Sequence, residues 1–245
     1  MQDKKAENLK ALLEGGIVPV IRASSADEAM RIVDAIREGG INTIEITMTV
    51  PDALKVMEAV AKKFGDELLL GAGTVLDAET ARASILSGAE FLVGPCLSED
   101  LIKIGKRYSK IVIPGAMTPT EILRAWEMGA DIVKVFPAGN LGGPKYIRAI
   151  KAPLPQVLLN PTGGVNLENA GEFIKAGAAI ISVGSALVDK KASAEGRFEV
   201  LTRKARQFVE EIKGHELTNE QVQTEKTTLE GGIFPPSTLR CSPLY

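Results

Sequence analysis

Lys134 stands in a segment whose other residues favour a buried strand. In Ile132-Val133-Lys134-Val135-Phe136, one ammonium group lies among β-branched and aromatic residues, a composition typical of a strand covered on both faces. An ammonium group there is costly to desolvate, so it must find a counter-charge, lose its proton or reach water in a cavity. A lysine that burial makes partly neutral is an amine nucleophile. The sequence therefore points to covalent amine chemistry at Lys134.

Glu45 is a second charge in a strand-like segment, between two isoleucines. Successive side chains of a strand alternate between its faces, so Glu45 and Lys134 each point away from their aliphatic neighbours. If the aliphatic side chains face a helix layer, both charges face the interior of a closed sheet. Such a pair is either a tolerated buried ion pair, which adds little stability, or an amine with its proton carrier. We favour the second because both charges lie near the C-terminal ends of their strands.

Two glycine-containing turns offer backbone N–H groups to an anion. Pro161-Thr162-Gly163-Gly164 follows the seventh strand-like run, and Gly184-Ser185 follows the eighth. Glycine lets N–H groups approach an anion closely, and the start of a helix adds a favourable dipole. A simple tight turn is the alternative. The position of both turns after the last two strands favours phosphate binding.

Other strand ends carry candidate contacts to a substrate. Arg22 ends the first strand and suits a two-point contact with a substrate carboxylate; a rim arginine paired with a helix acid is the alternative. Thr74, with Gly73, offers a hydroxyl and a backbone N–H after the third strand. Pro95 and Phe136 stand at the fourth and sixth strand ends. We predict that all of these residues border one substrate site.

The elements that must position these residues form a regular series. Short β-rich runs alternate with amphipathic stretches eight times between Ile17 and Lys213, after a helix predicted over Asp3–Glu14. Eight such units predict an α/β protein of the (β/α)8 TIM-barrel class with an extra N-terminal helix. A doubly wound open sheet is the alternative, but its Gly-x-Gly-x-x-Gly turn is absent. The predicted strands are residues 17–22, 43–47, 68–73, 91–94, 110–114, 132–136, 157–160 and 180–183.

The series ends before residue 215. We predict one barrel domain over residues 1–214 and an accessory or disordered tail over residues 215–245, where Thr, Glu and Gln are followed by Gly and Pro.

The one histidine, His215, lies beyond the last unit, so a histidine zinc site or a Ser-His-Asp triad in the barrel is excluded. Cys96 is more typical of a packing residue than of a nucleophile, because no histidine of the barrel can activate it. Cys96 and Cys241 are the two cysteines, which excludes a disulfide framework.

Charge and hydropathy restrict the partners. The 29 Lys and Arg residues nearly balance the 31 Asp and Glu residues, which argues against a nucleic-acid partner. No apolar run approaches the ~20 residues of a membrane helix, and the first ten residues contain no apolar signal region. We therefore expect a cytoplasmic protein without a membrane partner.

These residues together favour imine chemistry on a small keto acid. A neutral amine attacks a ketone to give a carbinolamine and then an iminium, which withdraws electrons while a carbon–carbon bond breaks. Glu45 would move protons at the carbinolamine and at the leaving hydroxyl. This scheme requires neither a metal nor an organic cofactor.

Five motifs carry a family resemblance, in order and spacing. They are Ile44-Glu45-Ile46-Thr47, Gly71-Ala72-Gly73-Thr74-Val75, Lys134-Val135-Phe136-Pro137-Ala138, Pro161-Thr162-Gly163-Gly164-Val165 and Val183-Gly184-Ser185-Ala186-Leu187. Over about residues 5–213 the chain resembles the class I 2-keto-3-deoxy-6-phosphogluconate (KDPG) aldolases, which also act as 4-hydroxy-2-oxoglutarate (KHG) aldolases. The resemblance implies that Lys134 forms the Schiff base with pyruvate and that Glu45 is the general acid/base.

The resemblance also implies how the substrate is held. It places Thr74 and an arginine at the pyruvate carboxylate. Some members carry that arginine four positions after the glutamate, where this chain has Thr49; others carry it at the end of strand one, which makes Arg22 the candidate. The same resemblance places three residues near the phosphate. They are Gly163, Gly164 and Ser185.

The implied activity is metal-independent cleavage of KDPG to pyruvate and glyceraldehyde 3-phosphate by a homotrimer. Cleavage of 4-hydroxy-2-oxoglutarate to pyruvate and glyoxylate is expected beside it. Three alternatives stay open at this point: an aldolase for the galactonate-derived phosphate, a phosphate-binding barrel isomerase or epimerase, and a barrel reused as an assembly scaffold. Metal-using epimerases of this architecture need histidines inside the barrel, which this chain lacks.

Overall fold

A computed structural model describes residues 2–214 of the chain. Within this range, parallel strands alternate with helices, as the sequence predicts. The predicted tail over residues 215–245, with His215 and Cys241, lies outside the described residues. The elements are α1 (Gln2–Gly15), β1 (Ile17–Ile21), α2 (Ala26–Glu38), β2 (Thr43–Thr47), α3 (Ala53–Phe64), β3 (Leu69–Gly73), α4 (Ala78–Leu86), β4 (Phe91–Val93), α5 (Glu99–Arg107), β5 (Ile111–Ile113), β6 (Gly115–Ala116), α6 (Pro119–Glu127), β7 (Val133–Val135), α7 (Pro144–Lys151), β8 (Leu159–Pro161), α8 (Ala170–Lys175), β9 (Ile181–Val183), α9 (Lys190–Ala194) and α10 (Glu199–Lys213).

The strands form a closed parallel ring. Six of them are hydrogen-bonded in the order β5-β4-β3-β2-β1-β9, and three in the order β6-β7-β8. A bridge between Thr162 and Ser182 joins β8 to β9. On the other side, Pro114 separates β5 from β6, and its carbonyl oxygen accepts a hydrogen bond from the Lys134 backbone N–H at 2.9 Å. The (β/α)8 barrel is thus confirmed.

Three local predictions need correction. The fifth strand, predicted as residues 110–114, is two short strands, because Pro114 has no N–H group to continue the ladder. The eighth unit contains an additional short helix, α9, ahead of α10. The helix after β8 was predicted from Asn166, but α8 begins at Ala170 because Asn166 and Asn169 bond each other's backbone and form a turn.

Two apolar cores lie on the two faces of the barrel sheet. The outer core, between strands and helices, includes Ile44, Ile46, Val133 and Val135. The inner core fills the barrel interior, here called the lumen. Its buried members are Leu12, Val18, Phe91, Val93, Ile111, Ile113, Ile132 and Ile180.

Helix α1 closes the lumen at the N-terminal ends of the strands. Its Leu12 is fully buried in the inner core. Lys5 forms an ion pair with Asp131 at 2.8 Å, just before β7, and Asn8 donates a hydrogen bond to Glu90 at 3.1 Å, just before β4. The predicted extra helix is therefore the floor of the barrel, and the opposite, C-terminal end of the strands is left for chemistry.

Candidate active site

Lys134 projects into the lumen from β7. Its neighbours Val133 and Val135 belong to the outer core, whereas Ile132, two residues earlier, belongs to the inner core. Side chains alternate along a strand, so the Lys134 side chain shares the lumen face with Ile132. The residue is only 6% exposed. The amine therefore lies in the barrel interior, as the sequence predicts.

Glu45 occupies the same lumen from β2 and is 1% exposed. Neither oxygen of its carboxyl group has a hydrogen-bond partner in the described part of the chain. Burial raises the pKa of the Glu45 carboxyl above its ordinary value, and the positive charges of Lys134 and Arg22 act in the opposite direction. A carboxyl group whose pKa is raised above its ordinary value holds a proton more readily, which suits a group that must give as well as accept one.

Gly73 provides the space that the Glu45 carboxyl group fills. Thr47 of β2 pairs with Gly73 of β3, which brings the end of β3 beside the Glu45 side chain. A Cβ atom at Gly73 would lie 2.6 Å from Glu45 Cδ and nearer still to Oε1. Any larger residue would displace the carboxyl group. Gly73 is thus in contact with the proposed proton carrier, a relation that its glycine-rich turn alone does not reveal.

Thr74 and Arg22 lie at the mouth of the lumen. Thr74 is half-buried and has a φ angle of 59°, a left-handed conformation that is strained for a β-branched residue and concentrates at functional sites. Arg22 is exposed and lies just after β1, close enough for its charge to act on Glu45. Thr49 is exposed too, and its hydroxyl bonds that of Thr47 at 2.7 Å. Of the two positions considered for a carboxylate-binding arginine, only residue 22 carries a cation.

Phe136 connects the amine to the loop after β8. Lys134 Nζ lies 5.2 Å from the centre of the Phe136 ring. A Cβ atom built at Gly163 would lie 3.4 Å from Cε2 of the same ring. Thr162, which immediately precedes Gly163, is buried. Its backbone N–H donates a hydrogen bond to the carbonyl oxygen of Val135 at 2.9 Å. The amine and the glycine loop thus both lie beside the Phe136 ring.

The loops after β8 and β9 present free backbone N–H groups. Gly163 and Gly164 have φ angles of 86° and 81°, and a Cβ atom at Gly164 would lie 2.9 Å from Gly139 Cα. The N–H groups of Gly163, Gly164 and Ser185 bond no other residue between 2 and 214. Gly184 beside them is open, with no atom within 4 Å of a Cβ built on it. Free loop amides of this kind suit a phosphate group.

We call the free amides of Gly163, Gly164 and Ser185 the phosphate cradle. The helix starts contribute less to this cradle than the sequence indicates. Helix α8 begins at Ala170, well after Gly164. The first amides of α9 are already satisfied, because Asp189 Oδ1 accepts the N–H groups of Lys191 and Ala192 at 3.1 and 3.0 Å. The loop amides themselves are therefore the available anion donors.

Pro95 and Cys96 lie at the end of β4. Pro95 is half-buried, and Cys96 is exposed. A Cβ atom at Gly115 would lie 2.6 Å from the Cys96 nitrogen, so the β4 end packs tightly on β6.

No group of three or more His, Cys, Asp or Glu side chains in residues 2–214 has the arrangement of a metal site, and no helix in the same range is long and apolar enough to span a membrane.

Sequence reasoning missed two polar residues of the lumen, Asn160 and Ser182. Both are fully buried. Asn160 is the register partner of Lys134, and its Nδ2 donates a hydrogen bond to Ser182 Oγ at 2.9 Å. Its Oδ1 has no partner among the described residues. The available signal was the one that identified Lys134, a polar residue within an apolar strand-like run.

The sequence of this chain is similar to those of known aldolases. A family described as KDPG and KHG aldolase matches residues 9–203. The KHG/KDPG aldolase of Escherichia coli strain K12 is 32% identical over 213 residues, which is 87% of this chain and all of that protein. The 2-dehydro-3-deoxy-6-phosphogalactonate aldolase of the same strain is 36% identical over 172 residues, 70% of this chain and 83% of that protein.

One solved structure has the same fold as this chain and moderate sequence similarity to it. The KDPG aldolase of Legionella pneumophila superposes with a TM-score of 0.76 and 29% identity, over 81% of this chain and 96% of that one. That crystal structure holds pyruvate as a covalent carbinolamine intermediate.

Proposed function

This chain belongs to the KDPG and KHG aldolase family, and we propose that it is a class I aldolase that cleaves KDPG to pyruvate and glyceraldehyde 3-phosphate. Cleavage of 4-hydroxy-2-oxoglutarate to pyruvate and glyoxylate is proposed beside it. The observation that carries this proposal is the placement of Lys134 and Glu45 in one lumen, where both side chains are buried and the Glu45 carboxyl oxygens have no hydrogen-bond partner among residues 2–214.

The proposed reaction begins at the Lys134 amine. Its nitrogen forms a bond to the C2 carbonyl carbon, the carbonyl oxygen takes a proton from Glu45, and the nitrogen returns one to it. Glu45 then protonates the carbinolamine hydroxyl, which leaves as water while the nitrogen and carbon form the iminium double bond. Burial favours this sequence because it raises the pKa of the Glu45 carboxyl above its ordinary value, which makes the group hold a proton more readily.

Cleavage then uses the iminium as the electron sink. Glu45, now a carboxylate, takes the proton of the C4 hydroxyl, the C3–C4 bond breaks, and the aldehyde leaves. The electron pair of that bond forms the enamine, which is protonated at C3 by Glu45 to return the iminium. Water then releases pyruvate. The iminium nitrogen itself accepts the electrons, so we propose a metal-independent lyase whose activity survives a chelator.

The substrate would span the C-terminal face of the barrel. Arg22 and Thr74 are proposed to bind the keto-acid carboxylate, because they lie at the mouth of the lumen nearest Glu45. The phosphate would bind the free amides of Gly163, Gly164 and Ser185, in the loops that follow β8 and β9. The other proposed contacts surround these positions. They are Gly73, Pro95, Thr162 and Gly184.

Substrate choice is the direct test of this proposal. We expect kcat/KM to be higher for phosphorylated keto acids than for 4-hydroxy-2-oxoglutarate, because the loop amides add binding energy only to a phosphate. A higher kcat/KM for the non-phosphorylated substrate would contradict the assignment of the cradle. The galactonate-derived phosphate is the second candidate substrate, since the relative that acts on it is 36% identical. Parallel measurement of both phosphorylated substrates separates the two.

Two further proposals concern the protein as a whole. We propose a homotrimer, as the family resemblance implies, and light scattering of the purified protein tests that mass. We also propose a cytoplasmic location, where phosphorylated sugar acids are available.

A further inference from the structure

The lumen contains an unusual concentration of unpaired polar atoms. In the part of the chain that the structure describes, four buried side-chain nitrogen or oxygen atoms have no hydrogen-bond partner. Three of them are oxygens in the lumen, two on Glu45 and one on Asn160; the fourth is Nε of Arg37. A buried acceptor without a donor is costly to keep, and such groups in a native protein call for an explanation. The two Glu45 oxygens are explained by the proposed proton transfers, which leaves Asn160.

Asn160 faces the lumen beside the reacting amine. Leu159 belongs to the outer core, while Leu158 packs on the inner core, so alternation places Asn160 on the lumen face. Its register partner on β7 is Lys134. Neighbouring strands lie about 4.8 Å apart, and the flexible four-carbon stem of lysine lets its nitrogen turn toward this neighbour.

The Asn160 amide is held in one orientation. Strand β8 lies between β7, which carries Lys134, and β9, which carries Ser182. Because Nδ2 donates to Ser182 Oγ on the β9 side, Oδ1 is left for the β7 side. Both Asn160 and Ser182 are fully buried, so the solvent does not compete for this bond.

We propose that Asn160 is a further catalytic residue, whose Oδ1 accepts a hydrogen bond from the Lys134 nitrogen while that nitrogen is bonded to the substrate carbon. The iminium has one N–H group and a positive charge, and an oriented amide oxygen stabilises both. Ser182 is a positioning residue that keeps the oxygen on the correct side. This inference rests on the proposed imine reaction and adds no covalent step to it.

The test compares pyruvate imine formation in three proteins. Wild type, Asn160→Leu and Asn160→Asp are incubated with increasing pyruvate and reduced with borohydride, and the adduct on Lys134 is quantified by mass spectrometry. Asn160→Leu removes the acceptor at similar volume, so the pyruvate concentration for half-maximal adduct should rise about tenfold or more, as expected for a hydrogen bond to a charged group. Asn160→Asp keeps an oxygen acceptor and should stay close to wild type.

Thermal unfolding of the same variants separates this role from a structural one. If Asn160→Leu is folded and its imine formation matches wild type, the proposal is overturned. Equal losses in the Leu and Asp variants would overturn it too, since only packing would then matter. If Asn160→Leu does not fold, Ser182→Ala carries the test: freeing the amide should weaken imine formation about threefold, and an unchanged value refutes the role. Absence of any adduct in wild type would instead refute the imine reaction itself.

Discussion

Gly73→Ala tests how closely the barrel holds its proposed proton carrier. The added Cβ would lie 2.6 Å from Glu45 Cδ, whereas carbon atoms pack at about 3.5 Å or more. The carboxyl group must therefore retreat by about 1 Å. A misplacement of that size in a catalytic group costs about 100-fold in rate. We predict that kcat for KDPG cleavage falls about 100-fold, while the barrel stays folded.

The assay follows pyruvate release under saturating substrate, with circular dichroism as the check on folding. Gly15→Ala is the matched control, because its Cβ would approach nothing nearer than Thr43 Oγ1 at 3.9 Å and it lies at the end of α1, at the floor of the barrel. The control should keep wild-type kcat. A folded Gly73→Ala protein with kcat within threefold of wild type would contradict this prediction, because Glu45 would then tolerate displacement or have no part in turnover.

Two other predictions concern the pKa of Glu45 and the phosphate loop. Burial raises the folded-state pKa of Glu45 above its unfolded value of about 4.3. The protonated Glu45 carboxyl therefore contributes to the stability of the wild type at low pH, and this contribution is lost as the pH rises through the folded-state pKa. Glu45→Gln has no such titrating group, so its free energy of unfolding relative to wild type should increase from pH 4 upward, by about 1.4 kcal/mol per unit of pKa elevation. Urea unfolding measures this difference, and a difference that stays constant with pH would contradict the prediction. Gly164→Ala, strained at φ 81° and against Gly139, should raise KM about tenfold for phosphorylated substrates and leave KM for 4-hydroxy-2-oxoglutarate unchanged. An equal rise for both substrates would show that the loop does not bind phosphate.

The lumen positions of Lys134 and Glu45 could be predicted from the sequence for a simple physical reason. Strand side chains alternate with a period of two, so a charge between two aliphatic residues must point away from the helix layer. The positions of Gly163, Gly164 and Ser185 followed from the strand count, because parallel strands bring the seventh and eighth loops together. Local order along the chain was sufficient in each case.

Other features depend on which atoms meet across strands. The contact between Gly73 and the Glu45 carboxyl group, and the bond from Asn160 to Ser182, join residues on different strands that no local pattern pairs. The break at Pro114 was visible as a proline, yet whether the ladder resumes after it depends on the partner strand β7. The occupied start of α9 also depended on a side chain, Asp189, that folds back onto its own helix.

A covalent imine between Lys134 and the substrate underlies every step of the proposed reaction, and trapping with pyruvate detects it. The protein is incubated with pyruvate, reduced with borohydride and digested, and the peptides are analysed by mass spectrometry. We predict a reduced pyruvate adduct on the peptide that contains Lys134, and none in a folded Lys134→Met variant, which should also lack cleavage activity. An unmodified Lys134 peptide from active wild-type protein, or an adduct on another lysine, would show that Lys134 is not the imine-forming residue.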